Sequence, residues 1–528
     1  MRRRDFIKAV GIAPVLQTAR ARQSRLSSLD FDYIVVGAGS TGCVVVNRLS
    51  TDPSIRVLLV EAGGPDNGDA TVTTPGRWVN LIGSSWDWGY STEAEPGLSG
   101  RRITFPRGKV FGGSSAINAM TFVRGHRLDF DAWCEAGNPG WGYRDLLPLF
   151  KRSETNSRGS SEFHGGEGPL AVSDTTDPHV VHAAFLDAAR ELGYQSRPDW
   201  DFNGAQQEGG AGYYQKNIKD GRRHSAGAAF LSPALSRRNL TVHDRAQATE
   251  LTIEGRRVVG VEYVRNGQTE RARAAREVIL CGGVIDSPKL LLLSGIGPAD
   301  HLRSLGVPVV VDLPGVGSNL QDHLKISVRW RGRQTLPAST VSAGLFVHSE
   351  WARVSAPPDL QFYVGRGLDQ PDTFATLTVA LQRPSSRGDV RLRSANPLDP
   401  AVIRGNYLRE SADVEALAQG VALMRTFGAT QAFAAVRGEE TEPGSKTTSQ
   451  ADLAAFVRRA VDTIYHPAGT CRMGRDADAV VDANLKVRGL ERLRVADASI
   501  MPNVVNATTH AACVMIGEKV SDLISEGE

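Results

Sequence analysis

The sharpest pattern in the chain lies between Asp32 and Glu61, where two short apolar runs flank a glycine-rich turn and a longer apolar stretch. Tyr33-Ile34-Val35-Val36 is an apolar run of strand length that feeds directly into Gly37-Ala38-Gly39-Ser40-Thr41-Gly42. Residues 43–49 then predict a buried helix, and Arg56-Val57-Leu58-Leu59-Val60 predicts a second buried strand that ends in Glu61. Strand, glycine turn, helix, strand and acid form the layout of a dinucleotide-binding βαβ unit. In that layout Gly37 makes the tight turn, Gly39 lets the backbone approach a pyrophosphate, and Gly42 lets the helix pack closely on the strand. The helix start around Ser40 and Thr41 offers free N–H groups and a positive dipole end, so a diphosphate there needs no lysine. Glu61 stands about 20 residues past the glycines, where an acid accepts the ribose hydroxyls of an adenosine and repels a 2′-phosphate.

Carried along the chain, the same reading predicts many short elements punctuated by Gly, Pro and Arg, without an internal repeat. Strand patterns at residues 240–242, 248–253 and 258–264, the last two joined by a turn at Glu254-Gly255-Arg256-Arg257, predict a small antiparallel accessory sheet. Residues 277–281 predict another buried strand, running into Gly282-Gly283 and an apolar helix at 285–293, so the nucleotide unit resumes after an interruption. Alternation at Leu360, Phe362 and Val364 and the run 375–381 predict longer strands of a second lobe. Residues 493–495 return to the first lobe, and a helix at 511–524 closes it. Loops rich in Gly and Ser at 156–168 and 439–448 mark lobe boundaries or surface excursions. The fold class is therefore α/β. A Rossmann-like nucleotide domain is expected from residues 30–155, 225–325 and 456–528, and a substrate domain with an antiparallel sheet and helices from 156–224 and 326–455.

Composition changes this picture little. At 528 residues the chain exceeds a single core and calls for two closely packed lobes. The net charge of +3 is spread along the sequence rather than gathered in a stripe, which argues against a nucleic acid partner. Cys43, Cys134, Cys281, Cys471 and Cys513 are far apart with no CxxC pair, and read as reduced core residues rather than a disulfide framework or a metal site. No run reaches the ~18 apolar residues that argue for a transmembrane segment. Residues 1–29 read as a leader: Arg3-Arg4-Asp5-Phe6-Ile7-Lys8 resembles a twin-arginine export signal and precedes a short apolar stretch and a small-residue site at Ala19-Arg20-Ala21. Export to the periplasm or the medium is the expectation, with a cytoplasmic protein as the alternative.

Neither Gly295-Ile296-Gly297 nor Gly315-Val316-Gly317 completes a second dinucleotide fingerprint, since both lack the third glycine and the acid-ended strand. A single dinucleotide that does redox work must be turned over in place by another partner, which suits FAD better than NAD. Four further blocks then stand in order. They are Gly108-Lys109-Val110-Phe111-Gly112-Gly113-Ser114-Ser115-Ala116-Ile117-Asn118 continuing to Arg124-Gly125, the stretch 283–297 with Ser287-Pro288, Gly317-Ser318-Asn319-Leu320-Gln321-Asp322-His323, and His466-Pro467-Ala468-Gly469-Thr470-Cys471-Arg472-Met473-Gly474. From about Asp32 to Ile524 they closely resemble, in order and spacing, the signatures of the glucose-methanol-choline (GMC) oxidoreductases.

The resemblance implies FAD, with Val110, Gly113, Ser114, Asn118 and Ala119 in the loop beside the flavin and Asn118 offering it an amide. Ile117 stands where some members carry a histidine that attaches the flavin, so FAD is expected to be non-covalent. Asp497 and Ala498 match positions that reach the pyrophosphate and ribityl region; a cap on the turn before Ser499 is the other role open to Asp497. The substrate implied is a small alcohol, with oxygen or an electron carrier as acceptor. His466 is the expected general base, because a neutral imidazole titrates in the right range to take a hydroxyl proton. Its partner is where the chain departs from the family, which places a His or Asn after the Met501-Pro502 step. Here that position is Thr508, and His510 follows two residues later. His510 is favoured as the second catalytic residue, with Thr508 and Asn506 as rivals. His323 and His301 read as packing or capping residues in helix-end contexts, and His224 as solvated or near the cofactor channel. A hydroxynitrile lyase of the same fold and a redox-inert flavoprotein are the competing readings.

Overall fold

A computed structural model of the chain describes residues 29–333, 342–350, 352, 355–365 and 374–527. The expected export signal thus lies outside the described residues, as do residues 334–341 and 366–373 of the second lobe.

Two sheets organise the structure. In the first, Leu29–Val36 lies parallel between Val57–Val60 and Gln268–Leu280, and Leu240–His243 extends it parallel to Val57–Val60. These central strands are apolar on both faces: Ile34, Val57, Leu58, Leu59, Val278 and Leu280 are fully buried, as a parallel sheet covered by helices requires. Strands 246–254 and 257–265 form the expected hairpin, but not a separate accessory sheet. The 13-residue strand Gln268–Leu280 pairs antiparallel with Arg257–Arg265 through its first half and parallel with Leu493–Val495 through its second, fusing hairpin and nucleotide strands into one seven-stranded sheet. Charged residues such as Glu270, Arg271 and Arg273 break the apolar pattern of that first half, which hides its continuity in the sequence.

The second sheet has eight strands. Its path runs Arg437–Glu442, Leu324–Gly332, Phe374–Leu381, Leu360–Gly365, Ala343–Val347, Gly210–Tyr213, Gln195–Ser196, with Asp462–Thr463 added against Leu324–Gly332. The helix Ser411–Ala429 covers one face. Strand Asp462–Thr463 matters most for the site, because it ties the second sheet to the segment that carries His466.

The helix of the glycine turn, Ser40–Leu49, packs along the C-terminal helix Thr509–Ser525. Thr41 Oγ1 donates to Cys513 O at 2.8 Å, and a Cβ on Gly517 would stand 2.7 Å from Val44 Cβ. Arg48 Nη2 meets the fully buried Glu518 carboxylate at 2.6 Å, and Arg152 Nε reaches the other oxygen at 2.9 Å. The two helices are thereby clamped at contact distance.

Candidate active site

A cavity of about 1190 Å³ runs from the Gly37–Thr41 turn, past residues 113–119, to the inner face of the second sheet. Its nucleotide end is built as the sequence reading expects. Helix Ser40–Leu49 begins at Gly39, which supplies no side-chain cap, so the first-turn N–H groups stay available to a ligand. Gly37 turns with φ +102°, and a Cβ on Gly42 would stand 1.9 Å from Gly37 O, so helix and strand touch where only glycine fits. Glu61 is buried, and burial pushes its carboxyl up while two backbone donors hold it down: Ala38 N donates to Oε2 and Gly63 N to Oε1, both at 2.6 Å. Asp497 is equally buried and raised by burial. Its Oδ2 accepts from Gly283 N (2.8 Å) and Ser287 Oγ (2.6 Å), and its Oδ1 caps Ser499 N at 2.8 Å, so it ties the 283–297 stretch to its own turn at the cavity wall.

Along the middle of the cavity the turn Gly113–Ala116 and residues Ile117, Asn118 and Ala119 form the wall. Asn118 Oδ1 accepts from Met120 N (3.0 Å) and from the buried Arg223 Nη1 (2.8 Å), which leaves its amide N–H groups for a ligand. Ser40, Thr41, Gly113, Ser114, Asp497 and Ala498 all line the cavity. Val110 and Gly42 do not: Val110 is buried behind the loop with Ala116 and Ile117, and Gly42 serves helix packing. An uncapped helix start, a buried acid at the strand end and a free amide along one elongated cavity fit a dinucleotide flavin.

His466 lies at the far end. The motif blocks at 317–323 and 466–474 are zipped together: Gln321 N donates to Ala468 O (3.0 Å), Ala468 N to Gln321 O (2.9 Å), and Ile464 N to His323 O (2.9 Å). Asp322 fixes the loop by accepting from His466 N at 2.9 Å, Tyr407 Oη at 2.7 Å and Thr463 Oγ1 at 2.5 Å, and burial pushes its carboxyl up to about 6. Tyr465, the residue before the histidine, is held at φ +69°, a left-handed conformation costly for an aromatic residue and common where a side chain must be aimed. Arg107 Nη2 donates to Tyr465 O at 2.8 Å and holds that turn. The result places His466 Nδ1 3.1 Å from His323 Nδ1. Burial drives His323 down to about 3, and burial, then His323, Arg107 and Lys325, hold His466 well below the usual histidine range. Both rings are therefore neutral near pH 7.

His323 is not at a helix end, as the sequence reading has it, but immediately before strand Leu324–Gly332, and it is the ring His466 touches. His510 lines the same cavity, with Nδ1 2.9 Å from Ser40 Oγ and a buried Nε2 that has no hydrogen-bond partner among the described residues; burial and then Arg223 lower it to about 4. Thr508 also lines the cavity, its Oγ1 donating toward Thr121 O (3.2 Å) and Val123 O (3.1 Å). Asn506 is turned elsewhere, its Nδ2 donating to Pro358 O at 2.6 Å. His301 Nε2 accepts from Leu392 N (3.2 Å) and His224 Nδ1 from Ala171 N (3.0 Å), so both serve the fold. The sequence reading missed Lys216, a buried lysine on the cavity wall. The signal was the polar triplet Gln215-Lys216-Asn217 between Tyr214 and Ile218, in a stretch otherwise built for a sheet.

Sequence models of the GMC oxidoreductases match residues 31–325 and 384–517. The chain belongs to the GMC oxidoreductase family. Among its relatives, mitochondrial choline dehydrogenase of Mus musculus is 43% identical over 94% of this chain and 89% of its own length. Alcohol dehydrogenase [acceptor] of Pseudomonas putida is 38% identical over 94% and 95%. The crystal structure of pyridoxine 4-oxidase from Mesorbium loti superposes with a TM-score of 0.89 at 35% identity, covering 94% of this chain and 99% of that one. This GMC oxidoreductase is an FAD enzyme acting on CH–OH donors. No described helix is long and apolar enough to cross a membrane.

Proposed function

We propose that this GMC oxidoreductase oxidises an alcohol to an aldehyde or ketone, with His466 as the general base. The observation that carries the reading is the neutral His466–His323 pair at the inner end of the cavity. FAD, when bound, supplies at N5 the acceptor for the hydride that leaves the carbinol carbon. For His466 to take a hydroxyl proton, its Nε2 must carry the lone pair and its Nδ1 the hydrogen. His323 Nδ1 is the acceptor that fits this tautomer, and the Asp322 bond to the His466 backbone keeps the ring from swinging away.

Asn118, Glu61, Asp497 and the helix start at Ser40 hold the cofactor in this reading. His510, bonded to Ser40 and bordering the cavity, acts on the cofactor side rather than as the partner of His466. Ile117 at the loop position of the attachment histidine supports non-covalent FAD. The twin-arginine pattern of residues 3–8 supports export, testable by fusing residues 1–29 to a reporter that is active only after folded translocation. Anaerobic mixing of the holoenzyme with neutral alcohols such as 4-methylbenzyl alcohol tests the central proposal. Bleaching of the oxidised flavin is expected; an unbleached spectrum across a broad alcohol panel would refute it.

A further inference from the structure

Among the described residues, Lys216 on the cavity wall has no acidic partner. Lys216 is only 4% exposed and lines the cavity. Its Nζ donates to Ala119 O at 3.1 Å and to Ser342 Oγ at 3.4 Å, both neutral acceptors. An ammonium has three protons, so one has no acceptor. The one charged side chain that bears on it is Arg223, which is also positive; burial and then Arg223 push Lys216 down to about 8. An ammonium buried without a counter-charge is destabilising, a strain that a bound anion relieves.

A second lysine borders the cavity further off, on strand Leu324–Gly332, which three strands separate from the strand Gly210–Tyr213 that leads to Lys216. Lys325 lines the cavity with its Nζ 5.4 Å from the centre of the Tyr465 ring, and together with Arg107 it disfavours a charged His466. The acids nearby do not cancel this at Lys216. Glu442 is committed to Arg329 at 2.6 Å, Asp462 stands opposite Lys325 in the strand pairing with its Oδ1 accepting from Thr463 N, and Asp177 also borders the cavity. None of the three is among the charges acting on Lys216.

We propose that the alcohol oxidised here carries an anionic group, a carboxylate in the simplest case, which binds the Lys216 ammonium on the cavity wall. This rests on the reading of the site as an alcohol-oxidation centre. It also separates the enzyme from those relatives named for choline, because a quaternary ammonium would meet Lys216, Lys325 and Arg107.

Two measurements on the FAD-loaded enzyme test it. The first needs no turnover: titration with 4-methylbenzoate, followed by perturbation of the flavin absorption band. Saturable binding is expected, weakened about tenfold or more in Lys216→Met and largely restored in Lys216→Arg, the size of effect of one charge-assisted hydrogen bond. The second compares 4-(hydroxymethyl)benzoate with neutral 4-methylbenzyl alcohol and with choline. The carboxylate is expected to have the higher kcat/KM through a lower KM, and Lys216→Met to raise its KM about tenfold more than that of the neutral alcohol. Equal affinity of wild type and Lys216→Met for 4-methylbenzoate would overturn the proposal, as would preference for choline. A shifted flavin potential in Lys216→Met with unchanged 4-methylbenzoate affinity would also overturn it, by placing the lysine on the cofactor. If neutral alcohols bleach the flavin and carboxylates gain nothing, only this inference fails. If no alcohol bleaches it, the oxidation reading fails while the 4-methylbenzoate titration still decides the anion site.

Discussion

His323 and His466 are separated by 143 residues in sequence and by 3.1 Å between their Nδ1 atoms. His323 is fully buried and His466 sits part-buried on the cavity wall, and among the described residues neither ring lies against a carboxylate, so the pair behaves as two coupled neutral bases of which only one can take a proton. That arrangement sets the direction of several effects.

Replacing His466 with alanine is expected to slow flavin reduction by about 10²–10⁴-fold, the usual weight of a general base, while FAD stays bound. Anaerobic stopped-flow absorbance with a good alcohol substrate measures it. An unchanged rate would move the base elsewhere.

The pH profile of kcat/KM should keep a plateau to unusually low pH. His466 is lowered in the folded enzyme, so its neutral form persists below the ordinary histidine pKa of about 6.5, and the acid limb belongs below that value. His323→Gln keeps an acceptor at Nδ1 distance but removes the second titrating ring, which should move the limb toward higher pH. A limb that stays in place in this variant would show that the two rings are not coupled.

Glu61→Gln weakens the charge-assisted bonds at Ala38 N and Gly63 N and the acceptor for an adenosine ribose. Each bond to a charged group is worth about 1.5–3 kcal/mol, so FAD affinity should fall roughly 10–100-fold. Fluorescence titration of apoprotein with FAD gives the number. Acid precipitation of the wild type should release the flavin into the supernatant, as expected without a histidine at position 117.

Glu518→Gln should destabilise the fold without touching the chemistry. The buried carboxylate holds Arg48 and Arg152, which keep 28% and 41% of their side-chain surface, so its loss leaves them partly solvated and the cost belongs near 1–3 kcal/mol rather than at the extreme for a buried pair. A lowered thermal midpoint with FAD saturating, and unaltered flavin-reduction rates, is the expected outcome.

What the sequence made legible was local. The glycine turn, its helix and Glu61 follow one another within 30 residues, and each needs a residue type that its own backbone geometry demands, so their roles can be read in order. The partner of His466 cannot be read this way, because strand-like pairing of residues 321 and 468 brings it from a distant block. Proximity in sequence to the second catalytic position drew attention to His510, whose ring the fold turns onto Ser40 instead. Lys216 escaped notice because a polar residue at a strand end looks solvated until the opposite wall is known. The accessory hairpin was recognised but misplaced, since the charged first half of Gln268–Leu280 masks a strand that serves two neighbours.

The clamp between helices Ser40–Leu49 and Thr509–Ser525 has a consequence for how the enzyme is made. The Ser40–His510 contact bridges 470 residues, so the pyrophosphate end of the cavity has no closing wall until the ribosome has moved almost the whole chain past the glycine turn. At about 5–20 residues per second that interval is roughly 25–90 s, during which the turn exists without its C-terminal cover. A nascent chain stalled before residue 509 therefore carries the glycine turn without the helix that covers it.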